Sequence, residues 1–428
     1  MKKMLVIGLL LIAGMAFSSA AAPQAPATIK IGVLHSLSGT MAISETTLKD
    51  TILMMIEDQN KKGGLLGKKL EAVVVDPASN WPLFAEKAQQ LLEKDKVAVV
   101  FGCWTSVSRK SVLPVFEKNN GLLFYPVQYE GEESSKNVIY TGAAPNQQAI
   151  PAVDYLMKDL AVKRWVLEGT DYVYPRTTNK ILEAYLLSKG VAAADISINY
   201  TPFGHSDWQT RVAAIKRFGA AGKKTAVVST INGDANVPFY KELGNQKVSA
   251  EDIPVVAFSV GEEELSGLDT KPLLGHLAAW NYFQSVKTPA NTAFINQWHT
   301  YIKSNKRTTN DPMEAHYVGF NLWVKAVQKA GTTDVEKVLA ALPGLETPNL
   351  TGGVAKMLAN HHITKPVYIG EVRADGQFDV VWKTTGTVPG DAWSDFLPGS
   401  KDIDADWVTL KCGNYNKTTK KCSGQNYK

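Results

Sequence analysis

Only three cysteines, Cys103, Cys412 and Cys422, occur in 428 residues, and none stands in a Cys-x-x-Cys spacing. The histidines are equally sparse in pattern: His361 and His362 are adjacent, with no His-Glu-x-x-His arrangement around them. A metal site thus has no recognisable ligand set, and the histidine pair, in a Gly- and Asn-rich segment, is expected on a surface loop. No Gly-x-Ser-x-Gly elbow is present, and His205, Ser206 and Asp207 are consecutive, so they cannot face one another as a triad. Gly222-Lys223 lacks the upstream glycine and following hydroxyl of a phosphate loop, and no Gly-x-Gly-x-x-Gly follows the first strand. No cofactor is expected, and the chain reads as something other than an enzyme.

Charge of one sign is also scarce. The net charge is +5, and removing Lys2 and Lys3 with an N-terminal leader takes it to +3. That is too mild to imply a nucleic-acid partner or an acidic membrane surface. The pairs Lys61-Lys62, Lys68-Lys69 and Lys223-Lys224 are expected on solvated helix ends and turns. The longest apolar run, residues 4–17, is short for a bilayer span and is preceded by two lysines and followed by Ser18-Ser19-Ala20-Ala21-Ala22. This is the pattern of a secretory signal peptide over residues 1–22, so the mature protein is expected to be periplasmic. In an oxidising compartment Cys412 and Cys422 are expected to close a disulfide across a polar tail, with Cys103 left as a buried thiol.

What is present is alternation. Apolar strands such as Ile29-Lys30-Ile31-Gly32-Val33-Leu34, Val73-Val74-Val75 and Val97-Ala98-Val99-Val100-Phe101 alternate with amphipathic helices. Strands that are apolar throughout belong to parallel sheets covered on both faces. The alternation restarts after Pro145-Asn146-Gln147, with strands at Trp165-Val166-Leu167, Ala226-Val227-Val228 and Val255-Val256-Ala257. Residues 291–341 then read as mainly helical. A hairpin follows, turning at Ala374-Asp375-Gly376-Gln377 between residues 367 and 382. The length exceeds what one core usually organises. Two α/β lobes are expected: residues 28–145 with 283–345, and residues 146–282 with 346–395. Residues 396–428 form the tail.

Polar and aromatic residues gather just past the carboxyl ends of these strands, where open α/β sheets bind ligands. In the first unit they are Cys103-Trp104-Thr105-Ser106 and Tyr125-Pro126-Val127-Gln128; in the second, Asp171-Tyr172-Val173-Tyr174, Asn232-Gly233-Asp234 and Gly261-Glu262-Glu263. Singly, each has an ordinary explanation as a helix cap or a core ring. Recurring at the same relative place in both units, they outline a cleft for a small polar molecule.

Longer stretches carry a family likeness. Phe101-Gly102-Cys103-Trp104-Thr105-Ser106, Phe124-Tyr125-Pro126-Val127-Gln128-Tyr129-Glu130-Gly131, Gly169-Thr170-Asp171-Tyr172-Val173-Tyr174-Pro175 and Trp280-Asn281-Tyr282-Phe283 are the specific ones. Through them nearly the whole mature chain resembles the type I periplasmic substrate-binding proteins of ABC transporters, most closely the receptors for urea and short-chain amides. The resemblance implies two α/β lobes joined by three crossings and closing like a hinge. It implies ligand contacts from Trp104, Thr105, Ser106, Tyr125 and Gln128 in the first lobe, and from Tyr172, Tyr174, Asp234 and Glu262 in the second. The partners it implies are a small neutral ligand and an ABC permease, with the receptor acting as a monomer. Val127 and Gln128 replace the threonine and proline of the amide receptors, which favours urea and leaves short-chain amides and branched-chain amino acids as alternatives. An exported amide hydrolase and a structural envelope protein are the readings from other classes.

Overall fold

The computed structural model describes residues 28–404, 415–416 and 419–422. The expected leader lies outside the described residues, and the expected Cys412–Cys422 bond involves side chains outside them. The first lobe is built by β1 (Ile29–Leu34), α1 (Ala42–Lys61), β2 (Leu70–Val75), α2 (Trp81–Gln89), β3 (Val99–Gly102), α3 (Ser106–Lys118), β4 (Leu123–Tyr125) and β5 (Val138–Tyr140). Its strands form a parallel sheet in the order β2-β1-β3-β4-β5.

The second lobe follows with α4 (Ala149–Lys158), β6 (Arg164–Thr170), α5 (Val173–Ser188), β7 (Ile196–Thr201), α6 (Gln209–Gly219), β8 (Thr225–Thr230), α7 (Asn236–Asn245), β9 (Val255–Ala257), α8 (Glu262–Leu265) and β10 (Leu277–Trp280). The chain then returns to the first lobe as α9 (Pro289–Ile302), α10 (Asp311–Ala330), α11 (Val335–Ala341) and the ribbon β11 (Glu346–Pro348) and β12 (Val354–Lys356). After the short β13 (Thr364–Lys365) it crosses back to add β14 (Tyr368–Val372) and β15 (Phe378–Lys383). The second sheet has the order β15-β14-β10-β9-β8-β6-β7, antiparallel only where β14 joins β10 and β15. β16 (Val388–Pro389) pairs with β13, and β17 (Ile403–Asp404), β18 (Tyr415–Asn416) and β19 (Lys421–Cys422) form a small antiparallel sheet.

Period-two alternation sorts the second lobe's core to its two faces. Trp165, Leu167, Ala226 and Val228 pack against α4 and α5, whereas Val166 and Val227 pack against α6 and α7. In the first lobe one continuous core joins the sheet to α9, α10 and α11 through Phe294, Trp298, Met313, Trp323 and Val338. That core also takes Leu350, Ala355, Met357 and Ile363. The segment 346–363, expected in the second lobe, therefore packs with the first, and the last crossing lies near Pro366. The polar stretch around Asn349, Thr351 and Gly352 hides four core contacts in a sequence that reads as loop. His362 is likewise a correction. It is fully buried, stacked on Tyr140 at 4.8 Å, and its Nε2 lies 2.6 Å from the Tyr129 hydroxyl.

One side chain ties the three crossings together. Asn281, on the second crossing, donates through Nδ2 to the carbonyl of Gln147 on the first at 2.9 Å and of Pro366 on the third at 2.7 Å. Its backbone N–H donates to Asp311 Oδ2 at the start of α10. Buried carbonyls deprived of a donor each cost about 1–3 kcal/mol. Asn281→Ala should lower stability by roughly 2–4 kcal/mol on that basis. Thermal unfolding followed by calorimetry checks this, and an unchanged midpoint would contradict the tie.

Candidate functional site

Strand ends in the first sheet set up the near wall of the cleft. After β3 the backbone turns sharply at Cys103, a buried free thiol with φ of 66°. Thr105 then caps α3, its Oγ1 accepting from Ser108 N at 3.1 Å. The N–H groups of Ser106 and Val107 lie in the first turn, where no intrahelical acceptor exists. The Ser106 hydroxyl donates to Glu130 Oε2 and accepts from Arg109 Nη1 at 3.2 Å. The loop after β4 brings Gln128 and Glu130 beside it. Gly142 makes that loop possible, because a Cβ there would stand 2.0 Å from the Val127 carbonyl oxygen.

Beneath this wall lies a charge cluster that sequence reasoning missed. Arg109, fully buried, donates through Nε to Glu133 Oε1 at 2.7 Å and through Nη2 to Glu130 Oε1 at 3.2 Å. Lys110 Nζ reaches Glu133 Oε2 at 2.6 Å. Two cations thus meet two carboxylates. Burial pushes the Glu133 carboxyl up, but Arg109 and Lys110 outweigh it and hold the group well below the ordinary carboxylate value. The guanidinium carbon also lies 4.6 Å from the Tyr125 ring centre and 4.7 Å from that of Tyr129, both within cation–π range. The spacing Arg109-Lys110 on a helix, followed by Glu130 and Glu133 after the next strand, was the only signal available.

The far wall comes from the second sheet. Tyr172 precedes α5 and Tyr174 lies in its first turn; with Val107 of the first lobe they share one small apolar cluster. Trp104 Nε1 donates across the cleft to Asn232 Oδ1 at 3.3 Å. Gln128 Nε2 donates across it to the Phe258 carbonyl and to Ser259 Oγ, each at 2.7 Å. Ser44 Oγ reaches Glu264 Oε1 at 2.6 Å, and Asp234 N reaches the Thr40 carbonyl at 3.2 Å. These bonds join the lobes in a closed arrangement, with Trp104, Ser106, Tyr125, Gln128, Tyr172 and Tyr174 all buried.

Of the nine residues singled out from sequence, six converge here: Trp104, Ser106, Tyr125, Gln128, Tyr172 and Tyr174. Four of these six already have internal bonds: Ser106 donates to Glu130, Gln128 to Phe258 and Ser259, and, of the aromatic pair, Tyr125 donates to the Trp104 carbonyl and Trp104 to Asn232. Their rings are walls. Gln128 Oε1 is buried without a partner, and the Tyr174 hydroxyl lies beside the Gln128 amide and the Ser259 hydroxyl. Thr105, the seventh, is occupied as the cap. Asp234 is exposed and meets the first lobe only through its backbone. Glu262 is buried elsewhere, against the second crossing, with Oε1 accepting from Gln284 N at 2.7 Å and Oε2 unpartnered.

Two α/β lobes, three crossings and a buried polar cleft between strand ends define a two-lobed solute-binding protein. A family model described as a periplasmic binding protein domain matches residues 29–399. The chain belongs to the periplasmic binding protein family, the solute receptors of ABC transporters. It is 26% identical over 357 residues to the Leu/Ile/Val-binding protein BraC3 of Rhizobium johnstonii, covering 80% of this chain and 90% of that protein. A shorter stretch of 122 residues is 30% identical to a limonene hydroxylase of Geobacillus stearothermophilus, covering 28% of this chain and only 22% of that one. Among solved structures, an ABC-transporter solute-binding protein from R. palustris in complex with 4-hydroxybenzoate superposes with a TM-score of 0.73 at 20% identity, covering 85% of this chain and 98% of that one. The branched-chain amino-acid binding protein LivJ of Streptococcus pneumoniae superposes with a TM-score of 0.69 at 19% identity, covering 85% and 100%. Among the described residues no helix is long and apolar enough to cross a membrane.

The hinge side of the cleft predicts a pH response. Burial pushes the Glu262 carboxyl up to about 8, and that of Glu132 to about 7. Carboxyls raised in the folded state favour folding below their ordinary value, and the benefit is lost as pH rises through the raised one. Stability should therefore fall between about pH 4.5 and 8, and Glu262→Gln should shrink that fall. Unfolding midpoints across this range check it; an equal fall in both proteins would contradict the assignment.

Proposed function

We propose that the protein is a periplasmic receptor that closes its lobes on urea and delivers it to an ABC permease. Charge balance in the cleft carries this reading. The guanidinium of Arg109 is engaged by Glu130 and Glu133, so a carboxylate ligand would find this cation already neutralised and screened by Tyr125. A neutral ligand enters without that mismatch. Urea presents four N–H donors and one carbonyl in a plane. The first-turn N–H groups of α3 offer donors to the carbonyl. Gln128 Oε1 and the Tyr174 hydroxyl offer partners to the nitrogens, while Trp104, Tyr125 and Tyr172 supply flat apolar walls.

Delivery follows from closure. A ligand that binds only between the lobes shifts the population toward the closed form, and that form presents a surface the open one lacks. The amino-acid reading draws on the relatives' names, and it requires the same α3 N–H groups to hold an α-carboxylate. Isothermal titration of the mature protein with urea, formamide, acetamide, leucine and 4-hydroxybenzoate separates the readings. The expected result is saturable heat with urea and none with leucine or 4-hydroxybenzoate. Heat from leucine alone would overturn urea while keeping the receptor role.

A further inference from the structure

A row of rings runs from the core of the first lobe to the far wall of the cleft. Phe84, fully buried, stacks on Trp81 with ring centres 6.1 Å apart. Trp81, the first residue of α2, meets Phe203 of the second lobe at 5.3 Å. Phe203 in turn lies 4.8 Å from Tyr172, and Tyr172 lies 6.2 Å from Tyr174. All four separations fall in the range where aromatic pairs attract. Trp81 and Phe203 are half-buried, whereas Tyr172 and Tyr174 are 3% and 2% exposed, so the row grades from rim to interior. Its Trp81–Phe203 step is the one that crosses between the lobes.

Phe203 follows β7 on a turn whose shape the second lobe fixes. The Pro202 carbonyl accepts from His205 N at 3.3 Å, and the His205 carbonyl accepts from Trp208 Nε1 at 3.1 Å. The His205 ring meets Trp208 edge-on at 4.8 Å, and Trp208 is part of the second lobe's core. Yet the Phe203 ring packs against the core of the first lobe. The lobes approach closely beside it. A Cβ on Gly233 would stand 2.8 Å from the Thr40 carbonyl oxygen, and one on Gly204 would stand 3.5 Å from the Thr40 methyl. A ring carried on a fixed turn and buried in part against the opposite lobe loses that burial when the lobes part.

We propose that Phe203 is a positioning residue that latches the closed form. It braces the Tyr172 wall and fastens it to Trp81, and so sets how long the lobes stay shut on a solute. This goes beyond the urea reading and does not depend on it. Recognition belongs to groups deeper in the cleft, and the latch acts on any solute they accept. Parting the lobes exposes both rings to water again, and that cost falls on opening rather than on closing. The latch therefore slows release and leaves capture nearly unchanged, the common division when contacts of one interface are varied.

Two measurements test the latch, and the first needs no solute. It compares the unfolding free energies of wild type, Trp81→Ala, Phe203→Ala and the double variant. A contact across the seam predicts that the double variant loses less than the two single losses together. Additive losses would overturn the latch. The second measurement is stopped-flow release of urea, with leucine as a second probe. Phe203→Ala should release solute roughly ten-fold faster, with an association rate within roughly two-fold of wild type. Phe203→Tyr keeps the ring and should restore slow release. Equal changes in both rates, or unchanged release, would overturn the latch. Faster release seen with leucine, from a protein that binds no urea, would keep the latch and overturn urea. If neither probe binds, the unfolding cycle alone decides.

Discussion

Arg109 is the side chain on which the near wall of the cleft depends. A guanidinium buried this deeply needs its charge met on every side, and Glu130 and Glu133 meet it from one loop. That requirement fixes the loop after β4 against α3. It places the Ser106 hydroxyl between cation and carboxylate, and it seats Tyr125 and Tyr129 over the guanidinium plane. Tyr140 donates to Glu133 and stacks on His362, which carries the constraint to the segment just before the last crossing. Removing one partner of such a network leaves an uncompensated buried charge, a loss of about 3–5 kcal/mol. A network this costly to break is poorly suited to ligand exchange, so it works as the floor of the site rather than as its reader.

Reading is left to neutral groups at the lobe seam. Around the cleft the lobes meet through the side chains of Gln128, Trp104 and Ser44 and the backbone N–H of Asp234, and at the rim partly exposed Arg307 pairs with Glu263 at 3.2 Å. Neutral hydrogen bonds contribute only about 1 kcal/mol each, so a handful of them can open and close within a receptor's working range. The crossings are held more firmly. Asn281 binds the first and third at once, and Gln148 Nε2 reaches both the Phe258 and Ala279 carbonyls. A firm pivot with a lightly bonded seam is the mechanical form of a hinge.

Much of this fold is legible in the sequence because parallel strands announce themselves. Trp165-Val166-Leu167 and Ala226-Val227-Val228 are apolar on both faces, and both faces are covered. The hairpin around Asp375-Gly376 and the helices of residues 291–341 are legible for similar local reasons. The ring residues at the strand ends are too, since strand order alone brings them to one edge. Other parts need tertiary information. Arg109, Lys110, Glu130 and Glu133 look like ordinary solvated charges until α3 and the following loop face each other. Asp234 and Glu262 sit at the right strand ends, but the turn geometry sends one to solvent and the other toward the pivot. Residues 346–363 scatter their core contacts among polar neighbours, so no periodicity marks them as part of the first lobe.

The most direct test of the account is a crystal structure of the mature protein grown with saturating urea. The account predicts one planar ligand between the lobes, its carbonyl on the α3 N–H groups and a nitrogen within hydrogen-bond distance of Gln128 Oε1 or the Tyr174 hydroxyl. An empty cleft, or urea bound away from these atoms, would contradict it.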